Sequence, residues 1–124
     1  MDDISLAQYA KTVKKLKISI AAVQETRRPG EQLEDFYFPG EELRGWRFIG
    51  SGSVGTSTGG VGFVIAPGVD VIETHRHDQL AWGRILSVRL EIKGIRMKVT
   101  TSYAPHNDKL SRCTDMAQWC ISRA

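Results

Sequence analysis

Two periods of hydrophobic spacing organise this chain. Near its start, Leu6, Ala10, Val13 and Leu16 recur at helical spacing. They predict a helix over residues 4–16, with Asp2 or Asp3 as its N-cap. Residues 18–23, Ile-Ser-Ile-Ala-Ala-Val, form a near-continuous apolar run of strand length. Such a run predicts a strand buried on both faces. It ends at Gln24-Glu25-Thr26, and Arg27-Arg28-Pro29-Gly30 closes it off. Residues 31–45, rich in Glu and Gly, predict irregular structure. Short strands are expected at 46–49 and 61–66. The Gly, Ser and Thr run between them, residues 50–60, reads as a hairpin loop rather than a domain boundary.

The period then becomes two. Residues 69–74 alternate as a further strand. Over residues 85–92, Ile85, Ser87, Arg89 and Glu91 lie on one side and Leu86, Val88, Leu90 and Ile92 on the other. Lys93-Gly94 predicts a tight turn, and residues 95–103 return as the hairpin partner. From Asp108 the spacing is helical again, through Leu110, Cys113, Ala117 and then Cys120 or Ile121. The order of elements predicts a mixed α/β fold. Two helices have five or six strands to cover, which points to a sheet face left open and to a chain that is part of something larger.

Composition narrows the class. The chain has 124 residues, 41% hydrophobic and 25% charged, the size and balance of one ordinary globular domain or a piece of one. Collagen-like, mucin-like and disordered readings are excluded. No apolar stretch reaches the roughly 18 residues of a membrane span, so no membrane partner is expected. Met1-Asp2-Asp3 is not the start of a secretory signal, and two cysteines make no disulfide framework. The expected setting is cytoplasmic or nuclear, not secreted. The net charge of +3 lies in the second half, around Arg84, Arg89, Lys93, Arg96 and Lys98. That patch is either a solvated strand surface or a phosphate-facing one.

Few residues carry candidate chemistry. Glu25 is a carboxylate at the end of a strand, where functional groups collect in α/β sheets. It suits a hard cation such as Mg²⁺, which takes one or two carboxylates plus water and substrate phosphate; the plain alternative is an exposed acid paired with Arg27 or Arg28. Tyr103-Ala104-Pro105-His106-Asn107 follows another strand, and its proline displays Tyr103, His106 and Asn107 at an edge. All three can hydrogen-bond phosphate, and Tyr103 or His106 can move a proton; the alternative is a strand-to-helix turn capped by Asn107 or Asp108. Residues 50–55 match the glycine spacing of a dinucleotide site, but a strand follows instead of a helix, so no helix N-terminus holds a pyrophosphate. His75 and His77 fall on one side of an extended segment without further ligands at zinc spacing. Cys113 and Cys120, two helical turns apart, are too distant for a mutual disulfide. Trp46, Trp82 and Trp119 read as packing residues, with base stacking as an alternative for Trp82.

Four segments carry a resemblance. They are Ile20-Ala21-Ala22-Val23-Gln24-Glu25-Thr26-Arg27, Gly59-Gly60-Val61-Gly62-Phe63, Gly83-Arg84-Ile85-Leu86-Ser87-Val88-Arg89-Leu90 and Tyr103-Ala104-Pro105. In this order and spacing they resemble the endonuclease/exonuclease/phosphatase superfamily. Within it they look most like the N-terminal half of the endonuclease domain of non-LTR (LINE-type) retrotransposons and of craniofacial-development-protein-2-like sequences. The match spans about residues 6–121, so residues 1–124 are expected to be one truncated domain of this type. The resemblance implies a partial two-sheet α/β sandwich with its site at one end. It implies metal binding for Glu25, with Mg²⁺ as cofactor, and a place beside the scissile phosphate for Tyr103. It implies DNA as the partner, and Arg84 matches an arginine of structural or electrostatic role. The asparagine that follows the Tyr-x-Pro proline in related sequences is here His106, with Asn107 next.

The departures shape the expectation. Related domains begin with a strand carrying an asparagine, and continue to a Gly-Asp-Phe-Asn motif and a late Asp-His pair. This chain has none of these. Phosphodiester hydrolysis needs charge stabilisation, an activated water and positioning, and nothing beyond His106 offers to activate the water. The expectation is therefore a nuclease-derived fragment inactive alone. Rivals are an interaction module that self-associates through an open sheet face or edge, activity by assembly with another chain, and a phosphatase.

Overall fold

The computed structural model describes residues 1–30, 32–52, 59–77 and 85–103. Helix α1 (Asp3–Lys15) opens the chain. Seven strands follow among the described residues: β1 (Ile20–Gln24), β2 (Leu33–Tyr37), β3 (Arg47–Ser51), β4 (Val61–Ile65), β5 (Asp70–Arg76), β6 (Ile85–Ile92) and β7 (Ile95–Ser102). They form two antiparallel sheets, one ordered β1-β4-β3-β2 and one ordered β5-β6-β7.

Helix α1 starts and stops for local reasons. The Asp2 carboxylate caps it, accepting from the Ser5 amide at 2.7 Å. At its other end the Lys17 amide donates to the Lys14 carbonyl and the Ile18 amide to the Val13 carbonyl. Lys17 sits at φ 58, so a lysine occupies the left-handed position that usually takes glycine. Leu6, Ala10 and Val13 are buried against the four-stranded sheet, as the helical spacing predicts. Leu16 leaves that stripe: it is the C-cap and is exposed. Burying Leu6 and Val13 contributes roughly 2 kcal/mol each.

The core has two compartments. One lies between α1 and the first sheet and holds Val23, Phe38, Leu43, Trp46, Phe48 and Val64 with the helix residues. The other lies between the sheets, where Ile49, Val61, Phe63 and Ile65 meet Leu86, Val88 and Leu90. The predicted open face is therefore not open. The second face of the first sheet is covered by the second sheet, and strands supply the layer that helices were expected to provide. The apolar alternation in β6 falls on this inter-sheet face, and every residue of β4 is buried.

Two expectations are corrected. The strand buried on both faces is β4, not β1. Strand β1 is an edge strand, and the second sheet does not reach over its middle, so Ala22 is exposed; its carbonyl accepts from the Tyr9 hydroxyl at 2.9 Å. Residues 31–45 are not wholly irregular, because β2 runs along the outer edge of the first sheet. Its Glu34 and Asp35 are poor strand formers, and their charges are met by arginines. Arg28 donates to both oxygens of Glu34 at 2.7 and 2.6 Å, and Arg47 to both oxygens of Asp35 at 2.8 and 2.7 Å. Strands β3 and β4 pair antiparallel, as the hairpin reading expects, and β6 and β7 pair across the Lys93-Gly94 turn. The expected second helix from Asp108, with Cys113, Cys120 and Trp119, lies outside the described residues.

Candidate functional site

The ends of β1 and β7 meet at one edge of the two-sheet core. Gln24 is the last residue of β1, and its side-chain amide donates to the carbonyl of Ser102, the last residue of β7. This bond crosses from one sheet to the other. It sets Glu25, which follows β1, and Tyr103, which follows β7, at the same end of the molecule.

The segment after β1 is shaped by its backbone. Glu25 and Arg27 both take φ 54, in the left-handed region, on either side of buried Thr26. Side chains other than glycine rarely adopt this conformation, and each instance costs about 1 kcal/mol. The loop before β4 holds it in place. The Thr26 amide donates to the Gly60 carbonyl at 3.1 Å and the Arg27 amide to the Gly59 carbonyl at 3.0 Å. Gly59 and Gly60 sit at φ 92 and φ 88, so two consecutive left-handed glycines present the carbonyls. Strain concentrated here, beside candidate chemistry, is a signal that residue types alone do not carry.

The charged groups lie close together. Arg27 Nη2 donates to Glu25 Oε1 at 2.8 Å. The hydrogen bond and charge of Glu25 raise the Arg27 pKa above its ordinary value, and Tyr103 adds a weaker contribution of the same sign. Tyr103 packs against the inter-sheet core while remaining partly exposed. Glu25 keeps about a third of its side chain exposed. The expected pairing of Glu25 with a neighbouring arginine is thus observed, with Arg27. Arg28 belongs to a different network, bonded to Glu34 and Asp3.

Two buried hydroxyls complete the neighbourhood. Ser51 Oγ and Thr101 Oγ1 have no hydrogen-bond partner among the described residues. Ser51 pairs with Val61 and, like Ile49, takes the inter-sheet face; Thr101 pairs with Leu86 on the facing sheet. Both belong to the end of the core that carries Gln24 and Tyr103. Sequence reading did not single them out, since nothing in a Ser or Thr reveals an orphaned hydroxyl.

Of the expected site residues, Glu25 and Tyr103 converge, and Gln24, Arg27 and the Gly59-Gly60 loop join them. Arg84, His106 and Asn107 lie outside the described residues, as does Trp82. Among the described residues no group of three or more His, Cys, Asp or Glu side chains is placed to hold a metal, and no helix is long and apolar enough to cross a membrane. His75 and His77 lie on the outer side of the second sheet, away from the inter-sheet face, and the His77 amide donates to the Ile85 carbonyl in the row that Ser102 ends. No protein-family model matches the sequence, and no curated protein matches it significantly.

Proposed function

We propose that this chain is part of an endonuclease/exonuclease/phosphatase-type domain whose β1–β7 end engages Mg²⁺ and a DNA phosphodiester, and that it does not cleave DNA alone. The observation that supports this reading is the convergence of Gln24-Glu25 and Ser102-Tyr103, tied by the Gln24 to Ser102 bond. Three of the four segments that carry the resemblance meet there.

The donor set fits a partial metal site. One carboxylate, Glu25, is too few for a protein-built cage. It suits the mode in which Mg²⁺ keeps most of its waters and shares a carboxylate with substrate phosphate. When bound, the ion neutralises charge on the phosphoryl oxygens. The chain's own residues then have distinct tasks. Glu25 holds the cation, Arg27 holds Glu25 in place and adds positive charge for a phosphate, and the Tyr103 hydroxyl donates a hydrogen bond to a phosphoryl oxygen. At this end of the second sheet the His77 ring turns to the outer face, where its Nε2 lies 3.0 Å from Ser87 Oγ.

The test combines cutting and binding. Supercoiled plasmid is incubated with the chain and Mg²⁺, and a labelled DNA oligonucleotide is titrated at low salt, because phosphate binding is salt-sensitive. No nicking is expected, together with Mg²⁺-dependent binding that weakens in Glu25→Gln and in Tyr103→Phe. Nicking that disappears in Glu25→Ala would show a complete active site and overturn the inactivity. Binding indifferent to Mg²⁺ and to Glu25→Gln would overturn the site.

One observation favours a second reading, self-association. Ile95 and Met97 on β7, an outer strand, are 62% and 40% exposed, and bulged Ile72 on β5 is 50% exposed. A sedimentation coefficient that rises with concentration in the wild type, and not in Met97→Lys, is the result this reading requires.

A further inference from the structure

The second sheet has an outer face that the Glu25 site does not use. A cleft of about 310 Å³ opens there, lined by Glu73, His75, His77, Ser87, Arg89 and Lys98. Its size is at the lower end for ligand sites. Three strands contribute, and the register explains why. His75 pairs with Ser87 and Glu73 with Arg89 across β5 and β6, while Ser87 pairs with Thr100 and Arg89 with Lys98 across β6 and β7. Two adjacent rows therefore bring imidazole, hydroxyl, guanidinium and ammonium groups together on one face.

The cleft is structured. The His75 and His77 rings stand edge to face with centroids 4.3 Å apart. His77 Nε2 lies 3.0 Å from Ser87 Oγ, which lies 2.8 Å from Thr100 Oγ1. Ser87 is only 1% exposed, so this chain of hydroxyls fixes the floor. The chain has two directions. With Nε2 unprotonated, Ser87 donates to His77 and Thr100 donates to Ser87. With Nε2 protonated, His77 donates to Ser87, Ser87 donates to Thr100, and the Thr100 proton is released to another acceptor. The His77 ring can therefore accept from Ser87 or donate to it, according to its tautomer.

The charges are unbalanced. Arg89 donates to Glu73 at 3.2 Å, which leaves that pair close to neutral. Lys98 makes no ion pair among the described residues and contributes an uncompensated positive charge. Each imidazole carries an N–H donor in either tautomer. Several donors from three strands suit an anion with oxygens pointing in several directions.

We propose that this cleft is a binding site for a tetrahedral oxyanion of the phosphate class, held by Lys98 and the His75–His77 pair. The inference does not rest on the Glu25 reading.

The test follows the histidine ring protons of the full chain by NMR, assigned with His75→Gln and His77→Gln, during titration with inorganic sulfate. The His75 and His77 signals are expected to shift saturably. Lys98→Gln keeps the stem and removes the charge, and is expected to lose about tenfold in affinity while its spectrum stays folded. Glu25→Gln is expected to leave sulfate binding unchanged, which separates this site from the other. Inorganic phosphate and a dinucleotide without terminal phosphate distinguish the source: saturable shifts with the first assign a free anion, with the second a nucleic-acid backbone. The proposal is overturned if neither sulfate, phosphate nor the dinucleotide shifts the two histidines. It is also overturned if folded Lys98→Gln binds as the wild type does.

Discussion

Gln24 and Ser102 end two strands of different sheets, and the Gln24 side-chain amide donates to the Ser102 carbonyl. The bond sets the relative position of Glu25 and Tyr103, each one residue further along. Gln24→Ala removes it and leaves a carbonyl at the protein surface, where water substitutes. The expected loss of stability is about 1 kcal/mol, measured by urea unfolding. A larger effect is expected on function, because the two sides of the site lose their tie. Mg²⁺-dependent DNA binding is expected to fall as far in Gln24→Ala as in Tyr103→Phe. Unchanged binding would mean that the tie does not position the site.

Gly62 explains a glycine that the sequence motif alone does not. Gly62 faces Gly50 across β3 and β4, and the Phe48 ring lies over both. A Cβ at Gly62 would sit 2.6 Å from Phe48 Cε1 and 2.9 Å from the Ile49 carbonyl oxygen. Phe48 is buried, so its ring has no room to move aside. Gly62→Ala is expected to destabilise the fold by about 2 kcal/mol through overpacking. Gly68→Ala is the control: it adds left-handed strain at φ +91 with nothing within 4 Å, and about 1 kcal/mol is expected. Equal losses in urea unfolding would refute the ring contact as the cause.

The elements legible in the sequence are those whose period and partners are local. Helix α1 has its stripe and its cap within a few residues of each other. The β6–β7 hairpin has alternation on both strands and Lys93-Gly94 at the turn, with Lys93 at φ 51 and Gly94 at φ 79. Strand β2 was not legible, since Glu34 and Asp35 argue against a strand until Arg28 and Arg47 are brought to them. The packing of sheet on sheet was not legible either, because Phe63 and Val88 give no sign of meeting. For the site, Glu25 and Tyr103 were readable as residue types at strand ends. Their convergence was not, and neither was the left-handed backbone at Glu25 and Arg27, which the Gly59-Gly60 carbonyls impose from a distant loop.

Arg28 joins the start of α1 to the outer edge of the first sheet. Its guanidinium bonds Glu34 and Asp3 and lies 5.8 Å from the centres of the Phe36 and Phe48 rings. The side chain is only 13% exposed, and the Glu34 hydrogen bonds raise its pKa well above the ordinary arginine value. Arg28→Met keeps the stem on the rings and leaves Glu34 without its partner. Glu34 is about a third exposed, so water recovers part of the loss; about 2 kcal/mol is expected. The double variant Arg28→Met, Glu34→Gln is expected to recover much of that loss. Equal stability of the single variant and the wild type in urea would show that the pair is not coupled to folding.

Asp2 gives the helix start a dependence on pH. Its carboxylate accepts from the Ser5 amide, which lowers its pKa below the ordinary 3.8. A carboxyl whose folded pKa is lowered stabilises the fold above its unfolded pKa. That contribution fades as pH falls through the folded value. The expected window therefore lies below about pH 4. Asp2→Asn keeps an acceptor without a titrating charge, so its thermal midpoint is expected to fall less steeply than the wild type between pH 4 and 2. Asp2→Ala is expected to be less stable than Asp2→Asn at pH 7. Parallel midpoint curves for wild type and Asp2→Asn would remove Asp2 from the acid response.

Arg27 separates the two halves of the proposed site by the sign of its effect. Its guanidinium pairs with Glu25 at 2.8 Å, so it competes with a cation for that carboxylate while adding positive charge near a phosphate. Arg27→Ala is expected to tighten Mg²⁺ binding about two- to fivefold, the range of an exposed ion pair, measured by calorimetric titration without DNA. The same variant is expected to weaken DNA binding at saturating Mg²⁺ and to reduce its salt dependence by about one phosphate contact. Opposite signs require a carboxylate that meets the metal and an arginine that meets the phosphate. A loss in both titrations would mean that Arg27 acts only by holding the Glu25 loop. No change in either would mean that the Glu25–Arg27 pair is an ordinary surface ion pair and that Glu25 holds no cation.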